Sequence, residues 1–295
     1  MQFIVFIIFY PFILLVSHLP YSILYFISDL LKTLLYKILK YRLKTVRKNI
    51  SICFPDKEDN ELLNIESSFY SNLCDIFVEM IKNISISEQE MKKRFIFKNI
   101  ELIHSFHNNN RSVVLLCGHY SNWEGMLSIG YHLNYKSFGV YTPLSNKYFD
   151  KMFSKSRESH HSFLLSRYKT IKTIKEHYNH KLIALYGFIM DQSPHVRPSS
   201  YWKKFMGIKV PVFKGAEIVA KEYNYPVVYA QLNRIKRGVY ESEISLISDN
   251  PKSTKENFIT DSFFNKLENQ IKNDPTQYLW THNRFKYMKK GSGQI

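Results

Sequence analysis

The sequence predicts an α/β protein: a central, mostly parallel sheet flanked by helices, preceded by an amino-terminal hydrophobic helical segment associated with a membrane. Three observations lead there. Apolar runs at residues 113–117, 136–141, 181–190 and 226–232 are nearly continuous, as strands buried on both faces are. Segments of helical period lie between them, and alternation of the two element types is the pattern of a helix-covered sheet. Residues 3–28 are almost wholly apolar, and a basic stretch follows at once.

The 295 residues suffice for one large domain or two ordinary ones. The shift in composition divides the chain into an amino-terminal transmembrane or interfacial helical segment with a basic flank (1–48), an α/β domain (49–290) and a short tail (291–295). A net charge of +16 and a pI near 9.5 call for an anionic partner, whether nucleic acid, membrane surface or phosphorylated substrate. Aromatic residues at 16% suit base stacking and lipid interfaces equally. No nucleic-acid module is recognisable, so nucleic acid is not expected as a partner. Cys53, Cys74 and Cys117 have no metal-ligand or C-x-x-C spacing and read as buried thiols of a reducing compartment. Cys117, two residues from a histidine, is assigned to packing rather than nucleophilic chemistry.

From residue 3 to the closing Ser28 the run is interrupted only by Ser17, His18 and Ser22, and Pro11 and Pro20 perturb the helix. The stretch is long enough to cross a bilayer, yet two prolines equally permit a broken segment lying in one leaflet. No basic residue precedes it and no small-residue cleavage site follows, which disfavours a removable signal peptide. Lys32, Lys37, Lys40, Arg42, Lys44, Arg47 and Lys48 alternate with Leu31, Leu34, Leu35, Ile38 and Leu39, the pattern of an amphipathic interfacial helix whose cations meet lipid phosphates. By the positive-inside rule the remainder faces the cytoplasm. Residues 60–82 have the helical period, Ser85 or Ser87 starts a further helix, and 95–109 lead into the first strand. Helices are predicted at 146–159 and 214–223.

The chemistry concentrates at Gly118-His119-Tyr120-Ser121-Asn122-Trp123-Glu124. Residues five apart on a continuous α-helix point about 140° apart, so His119 and Glu124 meet only across a turn. Gly118 ends the strand, Ser121 is the expected N-cap, and Glu124 falls in the first turn of a helix through Met126 and Leu127. An imidazole held by a carboxylate accepts a hydroxyl proton near neutral pH. Ser121-x-x-Glu124 is also a capping box, in which Glu124 serves only a backbone N–H; geometry alone leaves both readings open. His160, His161, His177, His180 and His195 have no partners at metal spacing and read as surface or loop residues.

With these residues in hand, the sequence resembles the lipid A biosynthesis (lauroyl/myristoyl) acyltransferase family, within the wider H-x-x-x-x-D/E group of lysophospholipid and glycerol-phosphate acyltransferases. The block from Gly118 to Glu124 is similar to the family's G-H-x-G-N-W-E, with Ser121 where glycine is usual. The basic stretch 41–49 with Cys53-Phe54-Pro55, then Asp191-Gln192, Phe205-Met206-Gly207, Lys214-Gly215-Ala216, Tyr225-Pro226-Val227-Val228 and residues 280–286 follow in the family's order, from about residue 12 to 288.

The resemblance implies transfer of a fatty acyl chain from an acyl-carrier-protein thioester to a hydroxyl of a phosphorylated glycolipid, a lipid A precursor. It places the reaction at the cytoplasmic face of the inner membrane, with no cofactor and no metal. His119 is then the general base and Glu124 the residue that holds it. Arg157 matches the family's arginine and is expected to bind phosphate or polarise the thioester. Asp191 is a polar anchor or a strand-end turn; Arg197, Lys214, Arg284 and Lys286 are further candidates for the anionic substrates. Trp202 and Phe205 either border an acyl groove or pack in the core. The same chemistry on an aminolipid or polyene-type lipid stays open, as does a non-catalytic membrane-surface protein. Acyl chain length, acceptor position and oxyanion donors are not assigned.

Overall fold

The computed structural model describes residues 1–288; the expected tail at 291–295 lies outside them. The amino-terminal apolar stretch forms not one helix but two, α1 (Gln2–His18) and α2 (Tyr21–Lys32). They part at Leu19-Pro20, both in extended backbone, because proline lacks the N–H that would continue the first helix. No helix among the described residues is long and apolar enough to cross a membrane. The expected basic amphipathic helix is interrupted as well. A wide π turn (Thr33–Ile38) continues α2, Lys40 and Arg42 take left-handed backbone, and α3 (Leu43–Cys53) starts anew. The division expected at residue 48 falls inside α3.

Helix α4 (Asp59–Lys82) is closed by a reciprocal Glu58/Glu61 capping box and buries Phe69, Leu73 and Ile76 along one side. Ser87 caps α5 (Glu88–Arg94) by accepting from Glu90 N. Then come β1 (Phe95–Lys98), α6 (Glu101–Asn108) and β2 (Val113–Cys117), whose five residues are all buried. A 3₁₀ helix (Trp123–His132), β3 (Lys136–Tyr141), α7 (Lys147–Glu158), β4 (Ser162–Ser166), α8 (Thr170–Asn179) and β5 (Ala184–Ile189) complete the first half. The second comprises the hairpin β6 (Trp202–Phe205) and β7 (Ile208–Pro211), α9 (Gly215–Tyr223), β8 (Val227–Lys236), β9 (Val239–Ser248) and α10 (Phe258–Asn273).

Seven strands form one sheet in the order β1-β9-β8-β2-β5-β3-β4. Every pairing is parallel except β8 with β9, so the expected mostly parallel α/β sheet is present. Strands β2 and β5 lie side by side although 66 residues of chain separate Cys117 from Ala184 in sequence. From β2 the sheet extends to β8 on one side and to β5 on the other, and ligands of such sheets gather at the carboxyl ends where the strand order changes sides.

The 3₁₀ helix lies close on the neighbouring loop. A Cβ placed at Gly130 comes within 2.6 Å of the backbone oxygens of His160 and His161. Backbone cannot move aside as a side chain does. Gly130→Ala is therefore expected to lower stability by about 1–3 kcal/mol, the usual penalty of overpacking, in urea denaturation; a variant as stable as the parent would contradict this packing.

Candidate active site

Register builds the centre. Cys117 on β2 pairs with Ile189 on β5, and two residues beyond each strand end stand His119 and Asp191. Because side chains repeat every second residue, these two emerge side by side. His119 Nδ1 lies 2.8 Å from Asp191 Oδ1, and the His119 backbone N–H donates to the same oxygen at 3.0 Å. Burial acts to raise the Asp191 carboxyl, but the adjacent His119 and its two hydrogen bonds hold it below the usual carboxylate range. An ionised carboxylate only accepts, so Nδ1 carries the proton, and in the neutral ring it is Nε2 that keeps the lone pair. The Trp123 ring meets the imidazole edge-on at 5.2 Å between centroids.

Glu124 is placed differently from expectation. Both of its oxygens are taken by Arg157, Nε to Oε2 and Nη2 to Oε1, each at 2.9 Å, a bidentate pair that fixes the guanidinium plane. The carboxylate bonded to His119 is Asp191. Nor is Ser121 the cap: it takes left-handed backbone with φ 54°, and Asn122 caps the following helix by accepting from Gly125 N. The Ser121 hydroxyl is buried without a partner among the described residues. That following helix is 3₁₀ rather than α. With three residues per turn, it points Glu124 toward Arg157 on α7.

His119, Glu124, Arg157 and Gln192 all face one cavity of about 550 Å³. Most of the remaining wall is apolar, with Cys117, Met126, Leu127, Leu164, Phe188 and Ile189, and Arg167 and Thr142 line it as well. Gly139 and Gly187, register partners on β3 and β5, both border it. A Cβ at Gly187 would meet only the Phe138 carbonyl, at 3.6 Å, so this stretch of sheet leaves room for a ligand.

A base backed by a buried carboxylate at the head of an apolar cavity fits acyl chemistry, and the comparisons with known proteins agree. The family model described as bacterial lipid A biosynthesis acyltransferase matches residues 2–287. The chain belongs to this family. It is therefore an acyltransferase. A lipid A biosynthesis acyltransferase of Haemophilus influenzae is 25% identical over 265 residues, 85% of this chain and 79% of that protein. The lipid A biosynthesis palmitoleoyltransferase of Escherichia coli K12 is 21% identical over 281 residues, 94% of this chain and 89% of that protein.

In this lipid A biosynthesis acyltransferase family member, the other sequence-predicted residues sit apart from the base. Arg284 is buried and donates from Nη1 to Pro211 O at 2.9 Å and Ser193 Oγ at 3.1 Å. It thus braces the loop after Asp191 instead of facing the cavity. Ser193 N in turn donates to His282 Nε2. Lys214 pairs with Glu256, and Arg197 and Lys286 are exposed. Phe205 is wholly buried against Phe264 and Phe285, and Trp202 is half-buried on the same hairpin, so neither borders the cavity. Cys117 faces it, but burial raises its thiol well above the usual range. His160, expected at the surface, is buried against Tyr131, and burial lowers it to about 4. Among the described residues no group of three or more His, Cys, Asp or Glu could hold a metal.

Sequence reading missed Glu79 and Gln192 as partners of the centre. Glu79, buried on α4, accepts from Tyr25 Oη at 2.9 Å and from Tyr240 Oη and Asn122 Nδ2 at 2.7 Å. The cap residue of the 3₁₀ helix is thereby tied to α2, α4 and β9. Burial raises Glu79 to about 7 against the hydrogen bonds from Tyr240 and Tyr25. Between its ordinary value of 4.5 and about 7, the folded chain keeps a proton that the unfolded chain releases. Stability from this group is thus full below the ordinary value and falls as pH rises through the window, by at most about 1.4 kcal/mol per unit. Glu79→Gln is expected to remove that slope in denaturation curves at pH 5, 6 and 7; parallel curves for both proteins would exclude it.

Proposed function

We propose that this acyltransferase moves a fatty acyl chain from an acyl-carrier-protein thioester to a hydroxyl of a phosphorylated glycolipid, a lipid A precursor, at the cytoplasmic face of the inner membrane. The observation that carries the reading is His119 at the head of a largely apolar cavity, with Asp191 behind Nδ1. His119 takes the acceptor's proton as its oxygen attacks the thioester, and Asp191 holds the tautomer and stabilises the imidazolium. Glu124 acts through Arg157, fixing the guanidinium at the cavity wall for an anionic substrate. The apolar wall past Gly187 takes the acyl chain.

The amino-terminal helices support the membrane assignment as an interfacial segment. Phe3, Ile7, Phe12 and Leu15 on α1 and Phe26 and Leu30 on α2 are exposed, and exposed apolar side chains concentrated in one segment suit a membrane surface. Exposed Lys37, Lys40, Lys44 and Lys48 follow, placed to meet anionic headgroups while the apolar face enters one leaflet.

With acyl-carrier-protein thioester and a lipid A precursor, His119→Ala is expected to abolish transfer and Asp191→Asn to lower kcat about 10²–10⁴-fold, both variants staying folded. Full activity of His119→Ala would sink the mechanism. Unchanged turnover in Asp191→Asn beside a collapse in Glu124→Gln would return the orienting role to Glu124. Lipid mass spectrometry of cells with and without the gene tests the acceptor, and unchanged lipid A acylation would move the chemistry to another lipid. Phe12→Asp with Leu15→Asp is expected to weaken co-sedimentation with anionic vesicles at least tenfold; undiminished binding would remove α1 from the interface.

A further inference from the structure

Transfer to a hydroxyl passes through a tetrahedral intermediate whose oxyanion needs hydrogen-bond donors. We propose that the side-chain amide of Gln192 is such a donor, and therefore a catalytic residue; the inference rests on the acyl-transfer reading above. Gln192 Nε2 lies 3.3 Å from His119 Nε2 and faces the same cavity. With Nδ1–H committed to Asp191, Nε2 of the neutral ring that acts as base is an acceptor, and the group beside it is then the NH₂ end of the amide. The donor thus stands next to the atom that will hold the reacting hydroxyl.

Substrate binding changes its partner. The hydroxyl takes the Nε2 lone pair, and the amide, still about 3 Å away, is left facing the thioester carbonyl oxygen. The hydroxyl oxygen then bonds to the carbonyl carbon while its proton passes to Nε2, and the carbonyl electron pair moves onto oxygen against the Gln192 N–H. Collapse restores the carbonyl and breaks the C–S bond, and the leaving thiolate recovers the proton from Nε2. No further reactant is consumed.

Two other features favour Gln192. Of the two arginines lining the cavity, Arg157 and Arg167, Arg157 has Nε and Nη2 engaged by Glu124. Gln192 also sits between Asp191 and Ser193, and Ser193 is held by His282 Nε2 at 3.0 Å and by the Arg284 carbonyl at 2.9 Å. The residue that orients the base and the one that would meet the oxyanion therefore share one braced segment, as preorganised stabilisation requires.

Full-length Gln192→Ala and Gln192→Glu are to be assayed in detergent with acyl-carrier-protein thioester and a lipid A precursor, after thermal denaturation has shown them as stable as the parent. Both are expected to lose kcat about 10²–10³-fold with KM changed less than about threefold, and the acidic inflection of the kcat–pH profile should stay where it is. Gln192→Glu tests charge at constant shape, because a carboxylate repels an oxyanion. Parental kcat in either variant overturns the proposal. So does a displaced inflection with kcat recovered at another pH, since that marks a residue that only tunes His119. If the parent transfers acyl groups and His119→Ala does not, while the Gln192 variants keep full kcat, only this inference falls. If the parent transfers none, the reading beneath it falls too.

Discussion

The hydrogen bond from His119 Nδ1 to Asp191, and the β2–β5 register that makes it, is the constraint on which the centre depends. Strands β2 and β5 pair in parallel from Val113–Leu185 to Cys117–Ile189, so both chains leave the sheet at the same edge and in step. The strand ends therefore deliver His119 and Asp191 to one place without help from the loops. What the loops supply is the surroundings of that pair.

Those surroundings are braced from behind by the carboxyl-terminal segment. Tyr120 bridges to Tyr278, Ser121 N donates to Gln277 O, and Leu279 N donates to His119 O. Asn49 on α3 donates to the carbonyls of Trp280 and His282, and Arg42 to that of Thr281. The two blocks most distant in the chain thus dock on each other beneath the His119 turn. This explains why Arg284 is internal: its guanidinium ties Pro211 and Ser193 together. Glu79 does for Asn122 on the other flank what this segment does for His119.

The amino-terminal helices are fastened to the same frame. Ser85 Oγ donates to Ser17 O and Lys82 Nζ to Leu19 O, while Phe6 packs on Tyr148 and Phe149 of α7. Helix α7 also carries Arg157, so the apolar surface of α1 and the ion pair at the cavity wall share one element. The exposed apolar surface of α1 and the cavity are thereby held in one body.

By itself the sequence determined what local pattern can determine. Continuous apolar runs specified β2, β3, β5 and β8 because strands buried on both faces admit few polar residues, and the ordered blocks specified the family. The place of His119 at a strand end was equally legible, since Gly118 interrupts the apolar run. The hairpin β6–β7 and the edge strand β4 carried no comparable signal, because half-exposed strands do not need one. Tertiary structure alone decided the partners. Spacing paired His119 with Glu124, five residues away, but a carboxylate 72 residues distant reached the imidazole first, because strand register brings chain ends together irrespective of sequence separation. Glu124, freed from that task, met Arg157 across the cavity, and charge patterning could not say which cations would face substrate and which, like Arg284, would be buried to hold the frame.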